Sequence, residues 1–263
     1  NISSHRLDSE LLLSKVLKSK RESILINLDK IIESSDMNKF FELIKRRSQR
    51  EPIAYITNEK EFWSKMFFVN RNTLIPRPET EIMVEKLVKI FKNKQISILD
   101  IGTGSGCILI SLLTEIKKAK GLGIDISKEA IKVAKKNARN LGLSGRIKFL
   151  KTSYLNIFHK KFDLIVSNPP YIRQSQIKNL DIDIKNYEPK VALDGGNDGL
   201  DVIKKVIYKA KNILKNKGTL SLEIGKEQYK IVLKTLHSNN FLIKNIVNDY
   251  RDNIRCIIST LNI

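Results

Sequence analysis

The sequence predicts an α/β protein: an open, doubly wound sheet of seven mostly parallel strands, preceded by a small helical segment. Three observations predict it. Short apolar runs alternate with helix-length amphipathic stretches from residue 97 onward. A glycine-rich run, Gly102-Thr103-Gly104-Ser105-Gly106, closes the first of those runs, where open parallel sheets bind ligands. The first fifty residues, by contrast, place apolar side chains at helical spacing only.

Between residues 4 and 50, Leu7, Leu11 and Leu12, and then Phe40, Phe41, Leu43 and Ile44, mark a helical bundle with polar joints near 27–29 and 34–36. Residues 61–75 change character. Phe62, Trp63, Phe67, Phe68 and Val69 before Arg71-Asn72-Thr73 suit a hairpin-like connector. Pro76 and Pro78 disfavour helix just before each of them, so the chain runs extended there. It enters a helix from about Glu79, with Glu79 and Glu81 near the positive end.

Strands follow at 97–101, 121–126, 147–152 and 162–167, separated by helices reaching about 118 and 141. After a long polar loop come a helix over 200–215, a strand over 219–224, a helix over 227–238 and closing strands at 243–247 and 256–261. The chain thus divides into a helical domain at 1–58, a hairpin linker at 59–78 and the sheet domain at 79–263. No internal repeat of solenoid length is present.

With 263 residues and 41% hydrophobic content, the chain can bury one sizeable core and a small accessory domain. No uncharged apolar run approaches the roughly 18 residues of a membrane span and no signal triplet opens the chain, which points to the cytoplasm. It opens on Asn1 rather than Met, so upstream sequence is expected. Cys107 and Cys256 lie far apart without a C-x-x-C partner, which suggests neither a zinc site nor a disulfide. His5, His159 and His237 show no metal or triad spacing, and no metal is expected. The net charge of +20 admits nucleic-acid binding, but lysines spread along the whole chain beside abundant Ile and Asn favour solvated helix faces.

The glycine loop removes the Cβ atoms that would keep a ligand from the backbone, ahead of a helix start with unpaired N–H groups. Its third glycine follows the second by two positions, unlike the G-x-G-x-x-G dinucleotide fingerprint, and Asp100 precedes it. Asp125, ending the second strand, is placed to accept hydrogen bonds from ribose hydroxyls. The loop alone leaves nicotinamide and S-adenosylmethionine both open.

Asn168-Pro169-Pro170-Tyr171 directly follows the fourth strand, on the same sheet edge. A planar amide or exocyclic amine nitrogen is a poor nucleophile because its lone pair is delocalised, as the roughly 18–20 kcal/mol peptide rotation barrier shows. The Asn168 side-chain carbonyl can accept one N–H of such a group and the Pro169 backbone carbonyl the other. Both bonds strengthen as the nitrogen gains positive charge. The prolines fix the carbonyl direction and add no donor. Tyr171 offers a flat wall for the target or, equally, a packing ring. No general base is required to start such a methyl transfer, so positioning dominates.

At this point the sequence resembles the PrmC/HemK release-factor glutamine N5-methyltransferases. The resemblance rests on Arg50-Glu51-Pro52-Ile53-Ala54-Tyr55, Glu61-Phe62-Trp63, the run from Thr73 to Glu81, the glycine loop, Ser167 to Tyr171, and Ala192-Leu193-Asp194-Gly195-Gly196, all in order. It implies a Rossmann-like class I methyltransferase behind a release-factor-binding helical domain. The implied reaction methylates the glutamine of the Gly-Gly-Gln motif in class 1 peptide chain release factors, using S-adenosylmethionine. Implied cofactor contacts are Gly102, Thr103, Gly104, Ser105, Gly106, Asp125, Tyr154 and Asn168. Asn168 and Pro169 would be catalytic, and Asn168, Pro169, Pro170 and Tyr171 would hold substrate. Arg77 and Glu79 would brace the pocket or contact ligand, with bracing the favoured role. Ser153 stands where many members carry an acidic residue near the adenine, and the helical domain begins late. The alternative is a nucleic-acid methyltransferase acting on adenine N6 or guanine N2, whose target nitrogen is equally planar. The segment from Pro76 to Glu81 and the lack of a base-flipping insertion speak against it.

Overall fold

A computed structural model describes residues 2–27, 29, 31–158 and 161–262; His159 lies outside the described residues. Four helices open the chain: α1 (His5–Leu17), α2 (Arg21–Ile26), α3 (Ser34–Ser48) and α4 (Ile53–Thr57). The polar run at 34–36, which reads as a joint, is instead the first turn of α3. Asp36 there faces the positive end of the helix dipole, so polarity marks a helix start rather than a break.

The connector is an antiparallel hairpin of β1 (Glu59–Phe62) and β2 (Lys65–Phe68). Its two turn residues, Trp63 and Ser64, both have positive φ, 52° and 51°. Two-residue hairpin turns of this hand ordinarily take Asn-Gly, so Trp63 needs outside support. Glu81 supplies it by accepting from the Trp63 backbone N–H at 3.0 Å, and Glu115 accepts from the indole Nε1 at 3.1 Å.

Helix α5 (Pro78–Phe91) leads into the sheet, whose elements are β3 (Ser97–Ile101), α6 (Cys107–Glu115), β4 (Lys120–Asp125), α7 (Lys128–Asn140), β5 (Ile147–Lys151) and β6 (Phe162–Ser167). They continue with α8 (Ile182–Tyr187), α9 (Asp201–Ile213), β7 (Leu214–Glu223), α10 (Tyr229–Ser238), β8 (Phe241–Asn248) and β9 (Ile254–Leu261). The seven strands lie in the order β5-β4-β3-β6-β7-β9-β8, and β9 runs antiparallel to both its neighbours. Alternating side chains feed two cores. Ile98, Leu164 and Val166 pack under α5, α6 and α7, while Leu99, Ile101 and Ile165 pack under α9 and α10. A sheet covered on both faces explains the continuous apolar runs of its strands.

Two elements depart from the sequence pattern. Strand β7 starts at Leu214, not near 219, because Leu214 already pairs with Phe162 of β6; pairing resumes at Thr219 with Leu164, and the turn-like Lys215–Gly218 run is an irregularity inside the strand, where Lys217 has a φ of 58°. Lys215 is held there by Asp163 at 2.8 Å. Within the polar loop after β6, α8 forms where Asp183 accepts from Arg47 at 2.8 Å and from Arg50 at 2.6 Å. Those arginines are more than 130 residues away, so local pattern carries no sign of the helix.

Candidate active site

The strand order reverses between β3 and β6, and the loops following these two strands therefore face one another across a crevice. A cavity of about 680 Å³ occupies it. Its wall runs from Gly102, Thr103, Gly104 and Ser105, past Asp125 and Tyr154, to Asn168, Pro169 and Pro170. That volume lies within the range of small-molecule sites.

The glycine loop is fixed from below. Gly102 and Thr103 N–H both donate to the Ile124 carbonyl at 2.9 Å, tying the loop to the tip of β4. Asp125 accepts from Gly104 N–H at 3.0 Å and from Ser127 N–H at 2.9 Å, and burial raises its pKa. Gly102 and Gly104 have φ of 72° and 54°, the left-handed region that favours glycine, and a Cβ on Gly102 would meet no atom within 4 Å. The space beside that backbone is open to a ligand. Gly106 differs: its Cβ would lie 3.0 Å from Ile110 and 3.3 Å from Ala134, and it is not on the cavity wall. Its glycine serves a φ of 81° at the start of α6 and the close packing of α6 on α7.

Asp100, beneath the loop, accepts from Thr103 Oγ1 at 2.7 Å, while its Oδ1 has no hydrogen-bond partner among the described residues. Burial pushes its pKa up to about 7, with the nearby Asp125 adding to the rise. Behind the loop, Asn137 of α7 donates to the Ser105 and Phe68 carbonyls, both at 2.9 Å, and accepts from Phe68 N–H at 2.8 Å. One buried side chain thus joins hairpin, helix and glycine loop.

Across the crevice, Asn168 Nδ2 donates to Thr80 Oγ1 at 3.3 Å, and Thr80 Oγ1 donates to Glu223 Oε2 at 2.6 Å. Tyr171 is turned from the cavity. It packs into the core under α9 and α10, and its hydroxyl reaches Glu223 Oε1 at 3.4 Å. Burial raises the pKa of that phenol. The expected flat wall is therefore not formed by Tyr171, whose placement is that of a packing ring.

The main chain of this loop is clasped by the Ala192 to Gly196 segment and by α10. Ile172 N–H donates to Leu193 O at 3.0 Å, Gly195 N–H to Ile172 O at 2.9 Å, and Gln228 Nε2 to Tyr171 O at 2.9 Å. A Cβ at Gly195 would stand 2.8 Å from the Pro170 carbonyl oxygen, so only glycine lets these backbones approach.

Arg77 lines the cavity and pairs with Glu188 at 2.6 Å, and Glu188 also accepts from Ile75 N–H at 3.2 Å. Arg77 is thereby braced between the proline segment and the loop carrying α8. Ser153 and Tyr154 both line the cavity, and Ser153 Oγ accepts from Leu155 N–H at 3.2 Å. Sequence reasoning missed Thr80, Glu223 and Gln228 as members of this neighbourhood. A carboxylate, Glu223, closing the Leu220-Ser221-Leu222 stretch of a buried strand was the available signal.

A sheet whose one reversed strand lies between its last two neighbours, with a glycine loop and an Asn-Pro-Pro-Tyr loop at its switch point, defines a Rossmann-like methyltransferase. Residues 92–253 match the family model described as a methyltransferase domain, and residues 1–57 match the PrmC N-terminal domain. Among solved structures, the ribosomal protein L11 methylase of Lactobacillus delbrueckii subsp. bulgaricus superposes with a TM-score of 0.56 at 20% identity, over 74% of this chain and 84% of that one. A methyltransferase from Pyrococcus furiosus gives 0.57 at 17% identity, over 75% and 89%. At such identities the likeness is one of fold.

The chain belongs to the family of release factor glutamine methyltransferases. It is 40% identical over 257 residues to the release factor glutamine methyltransferase of Fusobacterium nucleatum, covering 96% of this chain and 72% of the relative. It is 39% identical to that of Buchnera aphidicola, over 97% and 92%. A bifunctional methyltransferase of Rickettsia conorii is 37% identical over 98% of this chain, which spans 54% of that relative's length.

Proposed function

We propose that this chain transfers a methyl group from S-adenosylmethionine to the side-chain amide nitrogen, N5, of the glutamine in the Gly-Gly-Gln motif of class 1 peptide chain release factors. The support is a single cavity that joins the glycine loop to Asn168 and Pro169. The open space at Gly102 and the carboxylate of Asp125 suit a nucleoside carrying a ribose and an amino-acid tail. Residues 102–106, Asp125, Tyr154 and Asn168 would hold it, Gly106 by shaping the loop rather than by contact. When bound, S-adenosylmethionine supplies a methyl group on a positively charged sulfur.

The chain's own residues hold and polarise the acceptor. Asn168 Oδ1 takes one amide N–H and the Pro169 carbonyl the other, which fixes the nitrogen lone pair along the line of attack. As the N–C bond forms and the C–S bond breaks, positive charge grows on the nitrogen, and both acceptors then bind more strongly than they did at the start. The surplus proton leaves to solvent after transfer. Pro170 shapes the wall and Tyr171 anchors the loop from behind. The helical domain at 1–58 would bind the release factor, the linker at 59–78 would set its position against the sheet domain at 79–263, and the reaction would belong to the cytoplasm, where translation terminates.

The test incubates the protein and methyl-labelled S-adenosylmethionine with a release factor, its Gln-to-Ala variant, and total nucleic acid. Label on the intact release factor alone is expected, and label on nucleic acid alone overturns the proposal. Asn168→Ala is expected to remove most turnover while S-adenosylmethionine still binds.

A further inference from the structure

We infer that Thr80 and Glu223 are positioning residues that orient the Asn168 side-chain amide, so that its carbonyl oxygen rather than its NH2 group is presented to the acceptor nitrogen. The inference rests on the role proposed for Asn168. An asparagine amide has an acceptor end and a donor end of nearly the same shape, and only the acceptor end can take a proton-bearing nitrogen. Something must decide between the two orientations.

The decision follows from counting hydrogens. Thr80 Oγ1 carries one hydrogen and donates it to Glu223 Oε2 at 2.6 Å; burial raises the pKa of this carboxyl, and the Thr80 hydrogen bond opposes that rise by favouring the ionised, acceptor-only form. Toward Asn168 the hydroxyl can then only accept, so the group facing it at 3.3 Å is Nδ2. Oδ1 is left at the opposite end of the amide, with no donor among the described residues taking it, in a side chain that lines the cavity. Reversing the amide would set two acceptors against one another at Thr80.

The fold places each member without slack. Ser167 of β6 pairs with Leu222 of β7, which brings Asn168 and Glu223 to the same level at neighbouring strand tips. Thr80, 2% exposed, sits in the first turn of α5 directly above them and lines the same cavity. Glu223 is 1% exposed and receives the Tyr171 hydroxyl on its other oxygen. The Asn-Pro-Pro-Tyr loop therefore engages the same carboxylate twice, once through Thr80 and once directly.

The experiment compares Thr80→Val, Thr80→Ala, Thr80→Ser and Asn168→Ala. It measures kcat and KM for a release factor, S-adenosylmethionine affinity by calorimetry, and thermal stability. Valine keeps the volume and removes the hydroxyl, while serine keeps the hydroxyl. The expected result is a kcat lower by about 10–100-fold in both the valine and alanine variants, since misaimed positioning groups cost on that scale. KM and cofactor affinity stay within about two-fold, and serine restores at least half of kcat, on the same positioning argument. Full kcat in Thr80→Val or Thr80→Ala, beside an inactive Asn168→Ala, overturns the relay and leaves the role of Asn168 standing. Equal kcat losses in the serine and valine variants also overturn it, because keeping the hydroxyl would then confer no advantage. Full activity in Asn168→Ala overturns the underlying role itself.

Discussion

Replacing Asn137 with alanine strips three backbone groups of their partner at once. The Phe68 N–H and C=O and the Ser105 C=O are all served by this one side chain, itself 1% exposed. An orphaned buried polar group costs about 1–3 kcal/mol, toward the low end for the half-buried Phe68 pair and the high end for the Ser105 carbonyl, so the sum is roughly 3–5 kcal/mol. For a chain of this size each kcal/mol moves Tm by about 2–4 °C, which translates into a fall of about 6–20 °C. Thermal unfolding followed by circular dichroism without ligand measures it. Because the Ser105 carbonyl belongs to the glycine loop, S-adenosylmethionine affinity measured at a temperature where the variant stays folded is also expected to weaken. Asn137→Asp does not rescue: it keeps the acceptor for Phe68 N–H but turns a second oxygen toward two carbonyls. A Tm within about 3 °C of the parent would refute the reasoning, since that corresponds to only about 1 kcal/mol.

Two further outcomes follow from the site. Asp100 has a folded pKa near 7 against an ordinary value of 3.8, so the folded chain holds this proton more tightly. Its contribution to stability is fully present below about pH 4 and is lost as pH rises through 7, by roughly 4 kcal/mol for a shift of about three units. Asp100→Asn should raise Tm relative to the parent at pH 8 and lose that advantage near pH 4; melting curves across that range with no pH-dependent difference would contradict it. Gly195→Ala sets a Cβ 2.7 Å from the Gly199 carbonyl oxygen and 2.8 Å from Pro170 O and Tyr171 Cα, all backbone atoms that cannot swing aside. Turnover should drop about 10–100-fold through displacement of the Asn168 loop, with cofactor affinity, to which the glycine loop, Asp125 and Tyr154 across the crevice also contribute, changed less in a binding titration.

The sequence by itself determined the sheet, its seven strands, the helical segment and the two loops that face each other. Each is written in local periodicity or in residues with restricted backbone, such as the glycines at positive φ and the paired prolines. Only the tertiary structure decided which side chains serve those loops. Gly106 shares the composition of Gly102 and Gly104 but packs against Ile110 and Ala134, and Tyr171, which in sequence is equally a substrate wall or a packing ring, turns toward Glu223. Thr80 and Glu223 stand 143 residues apart and meet because α5 lies over the tips of β6 and β7. Helix α8 exists where Asp183 finds Arg47 and Arg50. Backbone preference is local and survives in one dimension. Hydrogen bonds and ion pairs between distant residues leave no spacing to read, and they appear only once the sheet has brought its strand tips together.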